Sequence, residues 1–427
     1  MLSPARSRLS ELVFAIGAVV IAAGLRLDAT GTRLYVPNPP FLWRYEPQIH
    51  PLAIVAILVA AAAVVLGPRL LRMSAPAFVA SSLLLTAAVR LSFSAARGGT
   101  GGWDRVFDPE RSFEAANEYL PALPALRYGV DIFLDRFSEV VTSLPVHAAG
   151  HTPGLLLVMD ALAIDTPGEL AALCIGAGVL ATPLLYLLGR RVLDERAARS
   201  AALLLALSPG VTMFSVTSAD GLFMTLGVLV ALALVLLPRV LGAVLGALAL
   251  AAASFFAWSL LAVGAWATVL ELRRGGLARA VALAATCGVV LVAFYALLHA
   301  ATGFDPVGTI LGTEQVYRTG IAQGRPYWFW VLGSPVAFLF TVGLPITWYA
   351  LRGLGHGHRV ALAIFAVLAV AALLGFTKAE TERIWLFLAP FLCLAAAAAL
   401  PERRLGLVLG LLAGQALACE LLYDSVW

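Results

Sequence analysis

Residues 360–383 read VALAIFAVLAVAALLGFTKAETER, an uncharged apolar run that ends in four charged side chains within six positions: Lys378, Glu380, Glu382 and Arg383. A second apolar run, 384–400, follows at once. Each run approaches the roughly 20 residues that a helix needs to cross hydrocarbon. Carrying one such charge to mid-bilayer costs on the order of 3 kcal/mol, so the hexapeptide needs partners or water beside it. Lys378 is also the only lysine, set against 28 arginines. A short polar turn with two ion pairs would account for the charges as ordinary loop chemistry. The solitary lysine favours a functional cluster.

The rest of the chain follows the same pattern. Hydrophobic residues make up 61%, charged residues 13%, and the mean hydropathy is +0.92. Soluble globular chains carry about 25% charged residues. The expectation is an all-α polytopic membrane protein, a single domain over 1–427 with no soluble part larger than its longest loop. The net charge of +4 reads as membrane topology, because the arginines flank apolar segments. No basic-aromatic run points to nucleic acid. Cys174, Cys287, Cys393 and Cys419 all lie in apolar segments without a CxxC pair, as small core residues do. The basic stretch 1–8 precedes an apolar run with no small-residue cleavage site, which reads as an uncleaved first span. Arginine dominance with abundant alanine, glycine and leucine leads to the expectation of a GC-rich genome and a bacterial source.

About 13 apolar segments are long enough to consider as transmembrane helices: 11–28, 51–67, 76–95, 169–188, 198–214, 219–237, 240–253, 255–271, 280–300, 328–350, 360–376, 384–400 and 405–423. Placing every arginine cluster in the cytoplasm works with alternating spans if Pro153–Ile164 is a half-depth segment. The N-terminus is then cytoplasmic and the C-terminus outside. This topology puts the large loop 96–168 and the loops 301–327 and 376–384 on the extracytoplasmic face of a plasma membrane. Cytoplasmic loops are left short and arginine-studded.

Within 96–152, apolar residues recur at helical spacing from Phe113 to Leu120 and from Tyr128 to Phe137, predicting short amphipathic surface helices. Most acidic residues there then belong to a solvated face. Glu118 and Asp104 stand out. Glu118 precedes Tyr119 where Pro121 cuts a helical pattern, and Asp104 follows Trp103 after a run of glycines. A carboxylate shielded by aromatic rings can have its pKa raised and act as a general base. His147 and His151, four apart, have the spacing of a metal pair, but Gly150 and Pro153-Gly154 argue against a helix and no third ligand is fixed. A phosphate-facing pair at the mouth of a half-helix is the other reading.

These residues resemble a known group. A large outer loop with acidic residues, a His-x-Pro-Gly segment at His151–Gly154, a helix ending Gly189-Arg190-Arg191, and Ser208-Pro209 followed by Ser218-Ala219-Asp220 look like the GT-C superfamily of polytopic glycosyltransferases. The likeness spans about 85–390 and is closest to the branch of bacterial protein O-mannosyltransferases and lipid A aminoarabinose transferases. It implies transfer of a sugar, with inversion, from a polyprenyl-phosphate-linked donor to a cell-envelope acceptor. Membrane lipids are the surrounding partner. An acidic residue of the first large outer loop is the implied base, here Asp104 or Glu118. The paired acidic residues expected right after the first span are missing. No cofactor is fixed, and a divalent ion remains open.

Such chemistry needs cations for the departing phosphate. Lys378 and Arg383 are the leading candidates, with Glu380 and Glu382 orienting them or meeting sugar hydroxyls. Arg318, Arg325 and Tyr327 in the second loop would clamp a phosphate or stack on a sugar, unless Tyr327 is an interface anchor. Asp220 either caps its helix or lines the cavity. The alternative function is a transporter or flippase for a lipid-linked or anionic substrate.

Overall fold

Within hydrocarbon every backbone N–H and C=O must find a partner inside its own segment, so long apolar runs become helices. The computed structural model describes residues 8–236 and 239–425 and is helical over 77% of its length. In chain order its principal helices begin with α1 (Leu9–Ala29), α2 (Ala53–Leu70), α3 (Ala75–Gly98), α4 (Gly154–Ala161), α5 (Pro167–Val192) and α6 (Glu195–Ala206). Next come α7 (Pro209–Phe214), α8 (Asp220–Leu236), α9 (Arg239–Ser254), α10 (Leu261–Gly275), α11 (Leu277–Thr302) and α12 (Pro306–Thr319). The last are α13 (Tyr327–Thr341), α14 (Leu344–Gly355), α15 (Arg359–Leu374), α16 (Thr381–Ile384), α17 (Ala389–Ala397) and α18 (Leu405–Leu422).

Among the described residues, six helices are long and apolar enough to cross a membrane, or seven if α13 and α14 form one span. The expected count of about 13 meets shorter or broken helices elsewhere. The stretches Asp220–Val235, Leu241–Ser254, Arg359–Leu374 and Leu386–Ala397 are apolar but shorter. The 198–214 run breaks into α6 and α7 at Ser208-Pro209, where proline removes a donor and pushes the preceding residue out of the helix. The 328–350 run bends by 113° between α13 and α14, at Gly343 with φ of 122°. Only glycine adopts that backbone without strain. The stretch Pro153–Ile164 holds α4, whose eight residues reach only about 12 Å. Its start is pinned where the Gly154 N–H donates to the Phe255 carbonyl at 2.8 Å.

Polar contacts sort the helix ends into two sets. At one end Arg199 donates to the carbonyls of Leu71 at 2.9 Å and Met73 at 2.6 Å. Arg196 meets Glu402 at 3.3 Å, and Arg274 donates to the Arg191 carbonyl at 2.7 Å. At the other end β1 (Arg44–Tyr45) pairs antiparallel with β2 (Tyr423–Asp424), and Thr152 donates to the Ser254 carbonyl at 3.0 Å. Arginine-rich turns therefore gather at one end and the long polar loops at the other.

The loop 96–168 departs from two surface helices. Its first half contains the 3-10 turns Ala115–Asn117 and Leu120–Leu126; its second half contains the short helices Val130–Asp135 and Phe137–Val140. Prolines 121 and 124 keep the first half from closing an α-helical turn. Phe133 and Phe137 are buried while Phe113 is exposed, so this loop packs into the protein on one side.

Candidate functional site

The hexapeptide folds as a strained turn. Ala379 and Glu380 both take left-handed backbone, with φ of 65° and 57°. Each such residue costs roughly 1–3 kcal/mol and persists only where its surroundings hold it. Here the Thr381 hydroxyl donates to the Ser334 carbonyl at 2.7 Å, and Arg325 donates to the Lys378 carbonyl at 2.8 Å. The turn aims Glu380 at Arg325, 2.6 Å away, and at Arg383, 3.7 Å away. Arg383 continues to Asp220 at 2.8 Å, both side chains being buried. Burial favours a neutral Glu380, but Arg325 and Arg383 outweigh it and hold the carboxyl below its usual range. Lys378 donates through Nζ to the Arg325 carbonyl at 2.9 Å.

Glu118 lies against this chain of charges. It is 1% exposed, and neither carboxylate oxygen has a hydrogen-bond partner among the described residues. Burial pushes its carboxyl up to about 8, with Arg383 opposing and Asp220 adding to the rise. Position explains the burial: extended backbone at Glu118 joins two 3-10 turns and carries the side chain inward beside buried Tyr119. The Tyr119 hydroxyl and His151 Nδ1 are 2.9 Å apart, and Nδ1 also meets the His147 carbonyl at 2.8 Å. A carbonyl only accepts, so Nδ1 carries the proton and Nε2 presents a lone pair. The His151 ring packs on Phe223 with centroids 4.8 Å apart. Burial lowers the pKa of both His151 and His147, and Arg383 lowers His147 further, so both rings are neutral.

The site is recessed. The Thr225 hydroxyl, near the start of α8, donates to the Ala177 carbonyl of α5 at 2.7 Å. A Cβ on Gly178 would meet Gly221 Cα at 3.5 Å, so the start of α8 lies beside the middle of α5, well past the Thr166 cap whose side chain accepts from the Glu169 N–H. The segment before β1 closes the region on another side. The Leu42 N–H donates to Glu382 at 2.8 Å, and Arg325 reaches the Tyr35 carbonyl at 3.4 Å. Glu382 is itself buried, and burial pushes its carboxyl up to about 7.

Among the sequence candidates, the structure brings together Glu118, Tyr119, His147, His151, Asp220, Arg325, Lys378, Glu380 and Arg383. Glu382 braces the Leu42 backbone, in place of orienting a cation. Asp104 stands apart: it precedes the 3-10 turn Arg105–Phe107, and its carboxylate makes no hydrogen bond or ion pair among the described residues. Arg318 pairs with Glu314 at 2.6 Å on an exposed face of α12, the i,i+4 pairing of a solvated helix. The Tyr327 hydroxyl donates to the Leu373 carbonyl at 2.6 Å, fastening the start of α13 to the end of α15, as an anchor does. His147 falls in a one-turn helix, Val146–Ala149, where the sequence argued against helix. Among the described residues, no third His, Cys, Asp or Glu joins the two histidines in a group that could hold a metal ion.

Sequence reading missed Arg90. It lies within α3, is 0% exposed, and none of its three guanidinium nitrogens has a hydrogen-bond partner among the described residues. A Cβ on Gly178 would meet Arg90 Nη1 at 2.9 Å, the Ser215 carbonyl at 3.3 Å and Gly221 Cα at 3.5 Å. Its charge therefore rests beside the turn that leads into Asp220. The signal was an arginine inside the 76–95 apolar run, which reads as a span boundary when only loops are searched. A buried charge without a partner destabilises the fold. Arg90→Met is expected to raise stability, read as a higher melting temperature in detergent; a lower one would mean that Arg90 has a structural partner.

No family model, curated protein or solved structure matches this chain.

Proposed function

We propose that this protein is an integral membrane glycosyltransferase that moves a sugar from a polyprenyl-phosphate carrier to an extracytoplasmic acceptor in the cell envelope. The observation that carries the reading is the Glu118 carboxyl, buried and without a hydrogen-bond partner among the described residues, set against the Asp220–Arg383 ion pair. A carboxyl with its pKa raised close to working pH takes a proton efficiently during reaction. In this reading Glu118 accepts the proton of the acceptor hydroxyl as its oxygen attacks the anomeric carbon. The bond from that carbon to the phosphate oxygen breaks, and the phosphate leaves with the electron pair. Attack opposite the leaving group inverts the anomeric centre.

Arg383 is the cation beside Glu118 that would meet the developing charge, and Lys378 stands on the same turn, bonded to the Arg325 carbonyl. Arginine offers a planar fork and lysine a movable point charge. Arg325 holds the turn that aims them, and Glu380 and Asp220 fix the Arg383 guanidinium. Neutral His151 offers Nε2 as an acceptor for a sugar or acceptor hydroxyl. The arginine-rich ends face the cytoplasm in this reading and the site opens to the other side of a plasma membrane, with the shorter helices completing about 13 crossings.

One observation favours a carrier instead. Broken helices at α6–α7–α8 and α13–α14 are a device of transporters, which bind substrate where helices are discontinuous. Purified protein in vesicles, given radiolabelled polyprenyl-phosphate sugars and a cell-envelope extract, separates the two. Release of polyprenyl phosphate with label on an acceptor supports transfer; movement of label across the vesicle without release supports a carrier.

A further inference from the structure

The ammonium of Lys378 is fixed in place without being neutralised. Its backbone N–H donates to the Tyr317 hydroxyl, its carbonyl accepts from Arg325, and its Nζ donates to the Arg325 carbonyl at 2.9 Å. An ammonium carries three donors, so most of its capacity is left over. Lys378 forms no ion pair among the described residues. Glu380, on the same turn, is committed to Arg325 and Arg383. The charges that Lys378 senses are cationic: burial lowers its pKa first, and Arg325 and Arg318 lower it further.

Two apolar stretches meet beside this ammonium. Arg325 leads into α13, where Trp328 is 60% exposed and Leu332, one turn on, is exposed as well. Leu373 and Leu374 end α15 exposed, and Phe376 beyond them is 65% exposed. The stretches adjoin: the Tyr327 hydroxyl donates to the Leu373 carbonyl at 2.6 Å, and a Cβ on Gly375 would meet the Tyr327 ring at 2.7 Å. Pro326 leaves the first turn of α13 without a side-chain cap, which adds partial positive charge at the same place. An exposed apolar patch with a polar rim marks an interaction surface.

Charge then selects the occupant. In a bilayer the exposed apolar stretches lie in hydrocarbon, and a lysine at their edge stands at head-group depth. A zwitterionic head group brings its own cation, which Lys378 repels. A head group of net negative charge brings none and is attracted to a basic side chain. We propose that this surface docks an anionic phospholipid, its phosphate on Lys378 Nζ and its acyl chains along the adjoining ends of α13 and α15. The occupant is a resident lipid of the bilayer. The assignment needs no transfer reaction and stands or falls independently of it.

Because the chain holds one lysine, lysine labelled with carbon-13 at Cε marks Lys378 alone. NMR of the full-length protein in a non-ionic detergent then reads the site directly. We expect dioleoyl phosphatidylglycerol to move the Lys378 signal to a limiting position. Phosphatidylcholine with the same chains needs about five-fold more lipid for the same displacement, the effect of roughly one basic side chain at a membrane surface. Inorganic phosphate and glycerophosphoglycerol, which lack chains, leave the signal in place. In Trp328→Ala/Phe376→Ala, which removes two exposed side chains and keeps the wild-type melting temperature, several-fold more phosphatidylglycerol is required. The assignment is overturned if phosphatidylglycerol leaves the signal unmoved, if phosphatidylcholine acts equally well, or if the chainless phosphates match the lipid. An unchanged titration in the double variant overturns it too. The comparison of the two lipids uses wild-type protein and depends on no variant.

Discussion

Glu118→Gln lowers sugar transfer by about 10²–10⁴-fold and leaves the protein folded, because glutamine keeps the shape and removes only the titrating proton. The pH profile identifies the cause. As the base, Glu118 must be ionised, so kcat/KM of the wild type rises with pH through about 8. The Gln variant retains a flat residual rate. Stability runs the opposite way. A solvated glutamate carboxyl ionises at 4.5 and that of Glu118 at about 8 in the fold, so the native state holds the extra proton between these values. Stability therefore falls as pH rises from about 4.5 to about 8, and Glu118→Gln removes its share of that slope, leaving the part that Glu382 contributes up to about 7. A Gln variant with wild-type transfer, measured as labelled acceptor, ends the assignment of Glu118 as base.

Arg383→Met damages the fold. Its guanidinium holds Asp220 at 2.8 Å and Glu380 at 3.7 Å in a buried setting. Removing one partner of a buried pair costs about 3–5 kcal/mol, because the other charge stays desolvated and uncompensated. The double variant Arg383→Met/Asp220→Asn restores part of that loss by removing the orphaned carboxylate. Melting temperatures of the single and double variants measure the coupling. Equal melting temperatures for Arg383→Met and wild type would mean that the pair contributes nothing net.

Hydropathy made the helices legible because a long apolar run has no other way to satisfy its backbone in hydrocarbon. It did not determine how each run crosses. The break at Ser208-Pro209 and the turn at Gly343 depend on local backbone geometry that a window of hydropathy averages away. The hexapeptide was visible as charge in an apolar setting, and Glu118 as a carboxyl at a proline-cut turn. What joins them is less visible. Asp220 had two readings until Arg383 was found on it. The N–H of Leu42 and the carbonyl of Tyr35 close the site through the main chain, which leaves no side-chain signature. Tyr327 carried two readings because an aromatic at a helix start serves a membrane anchor and a sugar platform equally well.

The hydroxyl of Thr225 meets α5 at Ala177, eleven residues beyond Thr166. At 1.5 Å per residue that is a descent of about 16 Å along the helix. Under the transferase reading, an acceptor has to bring its hydroxyl to a carboxyl that is only 1% exposed. A hydroxyl on a slender stalk, such as a chain terminus or a lipid head group, suits that approach better than one on the broad flank of a folded domain.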